Sequence, residues 1–241
     1  MIQKRNIRPR MNRVEYEAYL KWKNESENVL VIGDLHSPYT LKEYLQFCID
    51  TYNEYKCNSV VFLGDILDNH ASSFHKSDPK LANADHELNQ AKVIISKYYN
   101  AFPHAKVCIG NHDAIPARQL FDVGVSDQFM RPISEVLKTP NWHYAEEHVV
   151  NGILFTHGTS RQARQRCLQE GISVCQGHFH SKSYIEYYQG RDGVKFAMQL
   201  GCGIDRESRA FAYGKNFAMP QLNIGVIKNN GEIPIIIPMF T

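Results

Sequence analysis

The sequence predicts an α/β fold built on two mixed sheets packed face to face, with helices outside. Three observations predict it. Short apolar runs rich in β-branched residues each stop at a glycine or a polar residue. Amphipathic helical patterns lie between the early runs, and Gly- or Asn-Gly-centred turns separate paired runs in the second half.

Val29-Leu30-Val31-Ile32 comes first, and its unbroken apolar character is that of a strand buried on both faces. Leu41 to Tyr55 follows, with Leu41, Leu45, Cys48 and Ile49 on one helical face. Val60-Val61-Phe62-Leu63 is the second buried strand. The second helix runs from Ala84 to Tyr99, with Leu88, Ala91, Ile95 and Tyr98 inward. Val107-Cys108-Ile109 is the third strand of this kind, and strands alternating with helices favour parallel pairing.

Ile153-Leu154-Phe155 and Ile172-Ser173-Val174-Cys175 continue the buried series. Asn151-Gly152 joins His148-Val149-Val150 to Ile153 as a hairpin. Residues 184–188 and 194–198 flank Gln189 to Gly193 as a second, and residues 224–227 and 233–237 flank Asn229-Asn230-Gly231 as a third. Antiparallel strands therefore join the parallel ones. There are no internal repeats or linkers, so one domain spanning 1–241 is expected, with a basic arm and helix over 1–27.

Five polar motifs close five of the apolar runs: Gly33-Asp34-Leu35-His36, Gly64-Asp65-Ile66-Leu67-Asp68, Gly110-Asn111-His112-Asp113, Thr156-His157-Gly158 and Gly177-His178-Phe179-His180. Oxygen and imidazole donors gathered at strand ends suit divalent Mn, Fe, Zn or Mg, and no cysteine stands among them. Strand alternation lets Asp34 and His36 reach one cation together, and likewise His178 with His180. Asp34, His36, Asp65, Asn111, His157, His178 and His180 exceed what one ion needs; they fit two, with Asp65 bridging.

In this order the motifs resemble those of the calcineurin-like metallophosphoesterases, including compact phage- and bacterial-type members. GDLH, GDILD, GNHD, the lone His157 and GHFH span residues 33–180. The resemblance implies a four-layer α/β/β/α sandwich with its metal site at the carboxyl ends of the strands. It implies one metal on Asp34, His36, Asp65 and His180, and a second on Asp65, Asn111, His157 and His178. It gives His112 the role of protonating the leaving oxygen, with Asp68 orienting it. The activity implied is phosphoester hydrolysis by in-line attack of a metal-bridging hydroxide.

Protein Ser/Thr phosphatases of this family carry Arg directly after GDxxD, where it grips a phosphomonoester dianion, and they have GNHE. Asn69 and Asp113 stand at those places here. A diester carries one charge fewer, so a phosphodiester substrate, nucleotide or nucleic acid, is expected. A phosphomonoester is the alternative. A scaffold that only binds partners is the rival from another class, and the intact ligand set weighs against it.

Around the motifs, Arg118, Arg161 and His70 are candidate substrate contacts. Arg164 and Arg166 are expected to face water, as are His75, His86 and His104, while His143 and His148 are expected on strand surfaces. Tyr39 reads as a packing tyrosine or a base-stacking one. The polar stretches 69–83 and 201–220 are long enough to shape access.

Net charge is +2, too small for a strong global field. Residues 1–23 nevertheless hold Lys4, Arg5, Arg8, Arg10, Arg13, Lys21 and Lys23 against Glu15 and Glu17. That arm reads either as a solvated face or as a phosphate contact. Cys48, Cys57, Cys108, Cys167, Cys175 and Cys202 form no C-x-x-C pair and are expected as free thiols. No run reaches transmembrane length and the N-terminus lacks an apolar signal stretch, so a cytoplasmic chain without membrane contact is expected.

Overall fold

The computed structural model describes residues 13–14, 26–73, 83–208 and 219–240. Most of the basic arm, His75, and the centres of both access stretches (74–82 and 209–218) lie outside the described residues.

Among the described residues, eleven strands form two mixed sheets. The first runs β11 (Ile233–Pro238), β10 (Asn223–Lys228), β1 (Val29–Ile32), β2 (Ser59–Phe62), β3 (Ala105–Cys108), β4 (Trp142–Ala145). Strands β1 to β4 are parallel neighbours, with Val29 opposite Ser59 and Ala105 opposite Trp142, while β10 lies antiparallel against β1. The second sheet runs β5 (Glu147–Val150), β6 (Ile153–Thr156), β7 (Ser173–Gln176), β9 (Gly193–Gln199), β8 (Tyr184–Gly190). Here β6, β7 and β9 are parallel and the edge strands antiparallel.

Strand alternation sorts one sequence into two cores. Leu30, Ile32, Val60 and Phe62 face outward from the first sheet, onto α1 (Tyr44–Glu54) and α2 (Ala84–Ala101). Val29, Val31, Val61 and Leu63 face the other way and meet Ile153, Phe155, Cys175 and Met198 between the sheets. Leu154, Val174 and Ala197 leave the second sheet on its far side and pack on Ala163 and Cys167 of α5 (Ala163–Glu170). The order is helix, sheet, sheet, helix: a four-layer α/β/β/α sandwich.

The helices start and stop for local reasons. Helix α2 buries Glu87, Ala91, Ile95 and Tyr98, and its Asn83 cap accepts from the His86 amide at 2.9 Å. Helix α5 opens with a capping box between Gln162 and Gln165 and ends at Gly171 in the left-handed region. The three hairpins fall where the turn residues place them; Asn151, Asn229 and Asn230 have positive φ of 52°, 54° and 56°. All six cysteines are free and buried. No helix among the described residues is long and apolar enough to cross a membrane.

The elements not anticipated are short. Strand β4 has no apolar run, because only Trp142 of it is buried, its indole N–H donating to the Phe102 carbonyl at 2.8 Å. Helices α3 (Ile115–Asp122) and α4 (Ile133–Leu137) follow the third motif, α3 with its proline in the first turn. His143 is exposed on β4; His148 is half-buried, its Nε2 3.2 Å from the Val107 carbonyl.

Candidate metal centre

The first three motifs leave the carboxyl ends of β1, β2 and β3, and the last two leave β6 and β7. Parallel pairing lines the ends up within each sheet, and face-to-face packing brings the two sets together. Several contacts tie the sheets there. The His178 amide donates to Asp34 Oδ2 at 2.9 Å, His157 Nδ1 lies 3.1 Å from the Leu63 carbonyl, and His180 Nε2 lies 2.9 Å from Asp34 Oδ2.

The glycines permit this closeness. A Cβ on Gly110 would sit 2.1 Å from Asp65 Oδ1, and one on Gly177 would sit 2.3 Å from Asp34 Oδ1. Strand alternation does not carry the ligands, however. His36, Asp65 and His178 are left-handed, with φ of 48°, 45° and 71°, where a non-glycine residue costs of order 1–3 kcal/mol. The chain has already turned at these residues. His178 and His180 accordingly part company, one toward His157 and the other toward His36, and do not share a single group as alternation suggested.

Three clusters of candidate ligands result among the described residues, and two of them share Asp65. Asp34, His36, Asp65 and His180 each offer an atom within 4.8 Å of the others. His36 Nε2 and His180 Nε2 face one another at 3.2 Å, and Asp65 Oδ2 is 3.4 Å from His36 Nε2. Asp65, His157 and His178 form the other group. There His157 Nε2 is 3.2 Å from Asp65 Oδ2, 3.1 Å from His178 Nδ1 and 2.8 Å from Asn111 Oδ1. One carboxylate oxygen, Asp65 Oδ2, belongs to both.

This donor set fits divalent cations. Ring nitrogens face each other across 3.1–3.2 Å in both groups, and at most one of each two can donate, so each contact includes a lone pair of the kind a cation takes. Asp34 Oδ1 is buried with no hydrogen-bond partner among the described residues, His157 Nδ1 standing 3.6 Å away, a costly arrangement that a cation relieves. The donors are oxygen and imidazole nitrogen only.

Burial pushes the Asp34 and Asp65 carboxyls up, but His157 with His180 at the first, and His157 with His36 at the second, outweigh it and hold both below the usual range. Burial would lower His157, yet Asp65 and Asp34 hold it well above an ordinary imidazole. Without a cation His157 therefore keeps its proton at neutral pH, and metal must displace it. Metal affinity is expected to rise with pH through neutrality. Calorimetry in buffers of differing ionisation enthalpy should register proton release on Mn²⁺ binding; no release contradicts this.

Asp68 divides its work. Its carboxylate holds His36 Nδ1 at 2.5 Å, which aims His36 Nε2 into the ligand group. Its carbonyl, not its carboxylate, holds His112: Nδ1 is 2.5 Å from Asp68 O and 3.8 Å from Asp68 Oδ1. The His112 amide donates to Asp65 Oδ1 at 2.7 Å, and the ring stands 4.6 Å from that of His36. Burial and the neighbouring His36 lower its pKa.

Of the other candidates, Arg118 stays beside the site, Nη2 donating to the Asn111 carbonyl at 2.7 Å. Arg161 does not come to it, because its guanidinium turns outward to Gln169 of α5. Arg164 pairs with Glu186 over the Tyr184 ring, and Arg166 with Glu147 and Glu170. His70 is buried in a short 3-10 turn (His70–Ser72), its amide donating to Glu87 and its ring facing Tyr39.

Two residues that the sequence singled out only as departures from the protein phosphatases have local roles in this region. Asp113 accepts from the Gly110 and Leu67 amides at 2.9 and 3.0 Å, bracing the third motif to the second, and burial beside Asp65 pushes it up to about 6. Asn69, left-handed at φ 50°, donates to the His112 carbonyl at 2.8 Å. The signal was present, since Asn tolerates that conformation, but its target is set by the fold.

A family model described as calcineurin-like phosphoesterase matches residues 27–209. No curated protein matches the chain. Among solved structures, an archaeal phosphodiesterase is 14% identical, covering 88% of this chain and 99% of its own at a TM-score of 0.49. Vacuolar protein sorting 29 from Cryptosporidium parvum is 15% identical, with 89% and 92% covered at 0.49. The nuclease MPE of Pseudomonas putida is 10% identical, with 86% of each covered at 0.38. Likenesses this loose assign no shared chemistry.

Proposed function

The chain belongs to the calcineurin-like phosphoesterase family, and we propose that it hydrolyses a phosphodiester of a nucleotide or nucleic acid at a pair of divalent cations. The observation that carries this reading is Asp65 Oδ2, common to two ligand groups that together use Asp34, His36, Asp65, Asn111, His157, His178 and His180. The described β-strands and helices act as one catalytic domain.

When bound, such a pair supplies an activated water and neutralises charge on the phosphoryl oxygens. The residues do the rest. Asp65 holds the His112 backbone through Oδ1 while Oδ2 serves the ligand groups. The Asp68 carbonyl only accepts, so His112 Nδ1 keeps its hydrogen in either protonation state, and the transferable proton is the one Nε2 holds when the ring is an imidazolium, a form that burial and His36 disfavour. His112 delivers that proton to the departing oxygen, sparing it an alkoxide charge. Asn69 fixes the peptide that carries His112.

Two observations support a diester over a monoester. Position 69 offers no cation, and Arg161 turns away to Gln169, leaving Arg118 beside the site among the arginines considered. A single guanidinium suits a monoanion better than a dianion. The test is hydrolysis with Mn²⁺ of bis-p-nitrophenyl phosphate against p-nitrophenyl phosphate. A higher kcat/KM for the diester is expected. Monoester preference contradicts the substrate assignment, and hydrolysis of neither revives the binding scaffold.

A further inference from the structure

Beside the metal centre, α3 leaves an unusual surface. Phe121 is 82% exposed and Phe129 83%, with Val123 and Val125 also uncovered. Scattered apolar side chains need no explanation, but four within nine residues are a local concentration of uncovered apolar surface. A cleft of about 710 Å³ opens there, lined by Ala114, Arg118, Phe121, Asp122, Val125 and Ser126 among others. That volume is in the range of pockets that take a nucleotide-sized ligand.

We propose that this cleft binds the nucleobase adjoining the scissile phosphate, with Phe121 stacking on its face. The inference rests on the phosphodiesterase reading above. The cleft adjoins the third motif: its lining includes Ala114, two residues beyond His112, and Arg118, which lines it and donates to the carbonyl of Asn111. Arg118 thus links the cleft to the backbone of Asn111, one of the candidate ligands. Farther in, the lining is an aromatic ring and aliphatic carbon, with one carboxylate, Asp122, and one hydroxyl, Ser126. The carboxylate disfavours a second phosphate or an acidic peptide. A flat, uncharged ring with amino or imide groups at its edge matches both the apolar walls and these two polar atoms. Aromatic stacking is also indifferent to base identity, so the site favours bases over no base without selecting a sequence.

The test compares thymidine 5′-(p-nitrophenyl phosphate) with methyl p-nitrophenyl phosphate, each with Mn²⁺, by their ratio of kcat/KM. The wild-type protein should favour the base-bearing ester. Phe121→Ser should lower the ratio roughly 5- to 150-fold, the span of one base–aromatic stack. Phe121→Trp should keep it, and Val149→Ser, an exposed valine on β5, should leave it at the wild-type value. A ratio that Phe121→Ser does not move overturns the proposal, as does a wild-type protein that hydrolyses the methyl ester without preferring the base. If Phe121→Ser instead turns a dimer into a monomer in sedimentation with the ratio intact, the surface joins two copies and the proposal fails. If neither ester is hydrolysed, the phosphodiesterase reading itself falls.

Discussion

Asp65→Ala is expected to remove both cations and hydrolysis together. Changing a residue that merely orients a ligand typically costs 10- to 100-fold in metal affinity, and Asp65 stands nearer the metal than that. Its Oδ2 is 3.4 Å from His36 Nε2 and 3.2 Å from His157 Nε2, so one truncation strips a donor from each group. It also frees the His112 amide from Oδ1. The loss in Mn²⁺ affinity should therefore exceed about 100-fold at both positions. Metal content after gel filtration, read beside turnover, checks this. A variant that keeps one tightly bound ion contradicts the shared carboxylate.

His112→Ala should separate metal binding from chemistry. His112 stands outside both groups that share Asp65 Oδ2, and its ring is tied by Nδ1 to the Asp68 carbonyl. In the third cluster, of His36, Asp68 and His112, Asp68 steadies the two imidazoles, one by its carboxylate and one by its carbonyl. Both cations should remain while turnover falls by about 10²- to 10⁴-fold, the usual contribution of a positioned acid. The loss should depend on the leaving group: large for an alkyl alcohol, which needs a proton to depart, and smaller for p-nitrophenolate. Equal losses for the two, or full activity, reject the role.

How far the sequence carried this account follows from what each feature depends on. Strand β1 could be read to its end residues because Val29 to Ile32 is apolar without a break and Gly33 stops it. The hairpins were legible for a local reason too, since asparagine and glycine supply the positive φ their turns need. Strand β4 was not, because an edge position beside β3 asks only Trp142 to be buried. Donor types at strand ends are likewise visible in sequence, whereas their directions are not. Left-handed His36, Asp65 and His178 override the period of two and divide His178 from His180. The split service of Asp68, carboxylate to His36 and carbonyl to His112, depends on two loops meeting across 32 and 44 residues of chain. Burial of His70 and the outward turn of Arg161 have the same origin: partners supplied by Glu87 and Gln169, far from the motifs in sequence or beyond them on a helix.

The most direct measurement is anomalous diffraction from crystals grown with Mn²⁺. Two peaks roughly 3.5–4 Å apart are expected, one on either side of Asp65 Oδ2, with Asp34, His36 and His180 about the first and Asn111, His157 and His178 about the second. A single peak, or peaks that leave Asp65 in contact with only one ion, would contradict the binuclear centre.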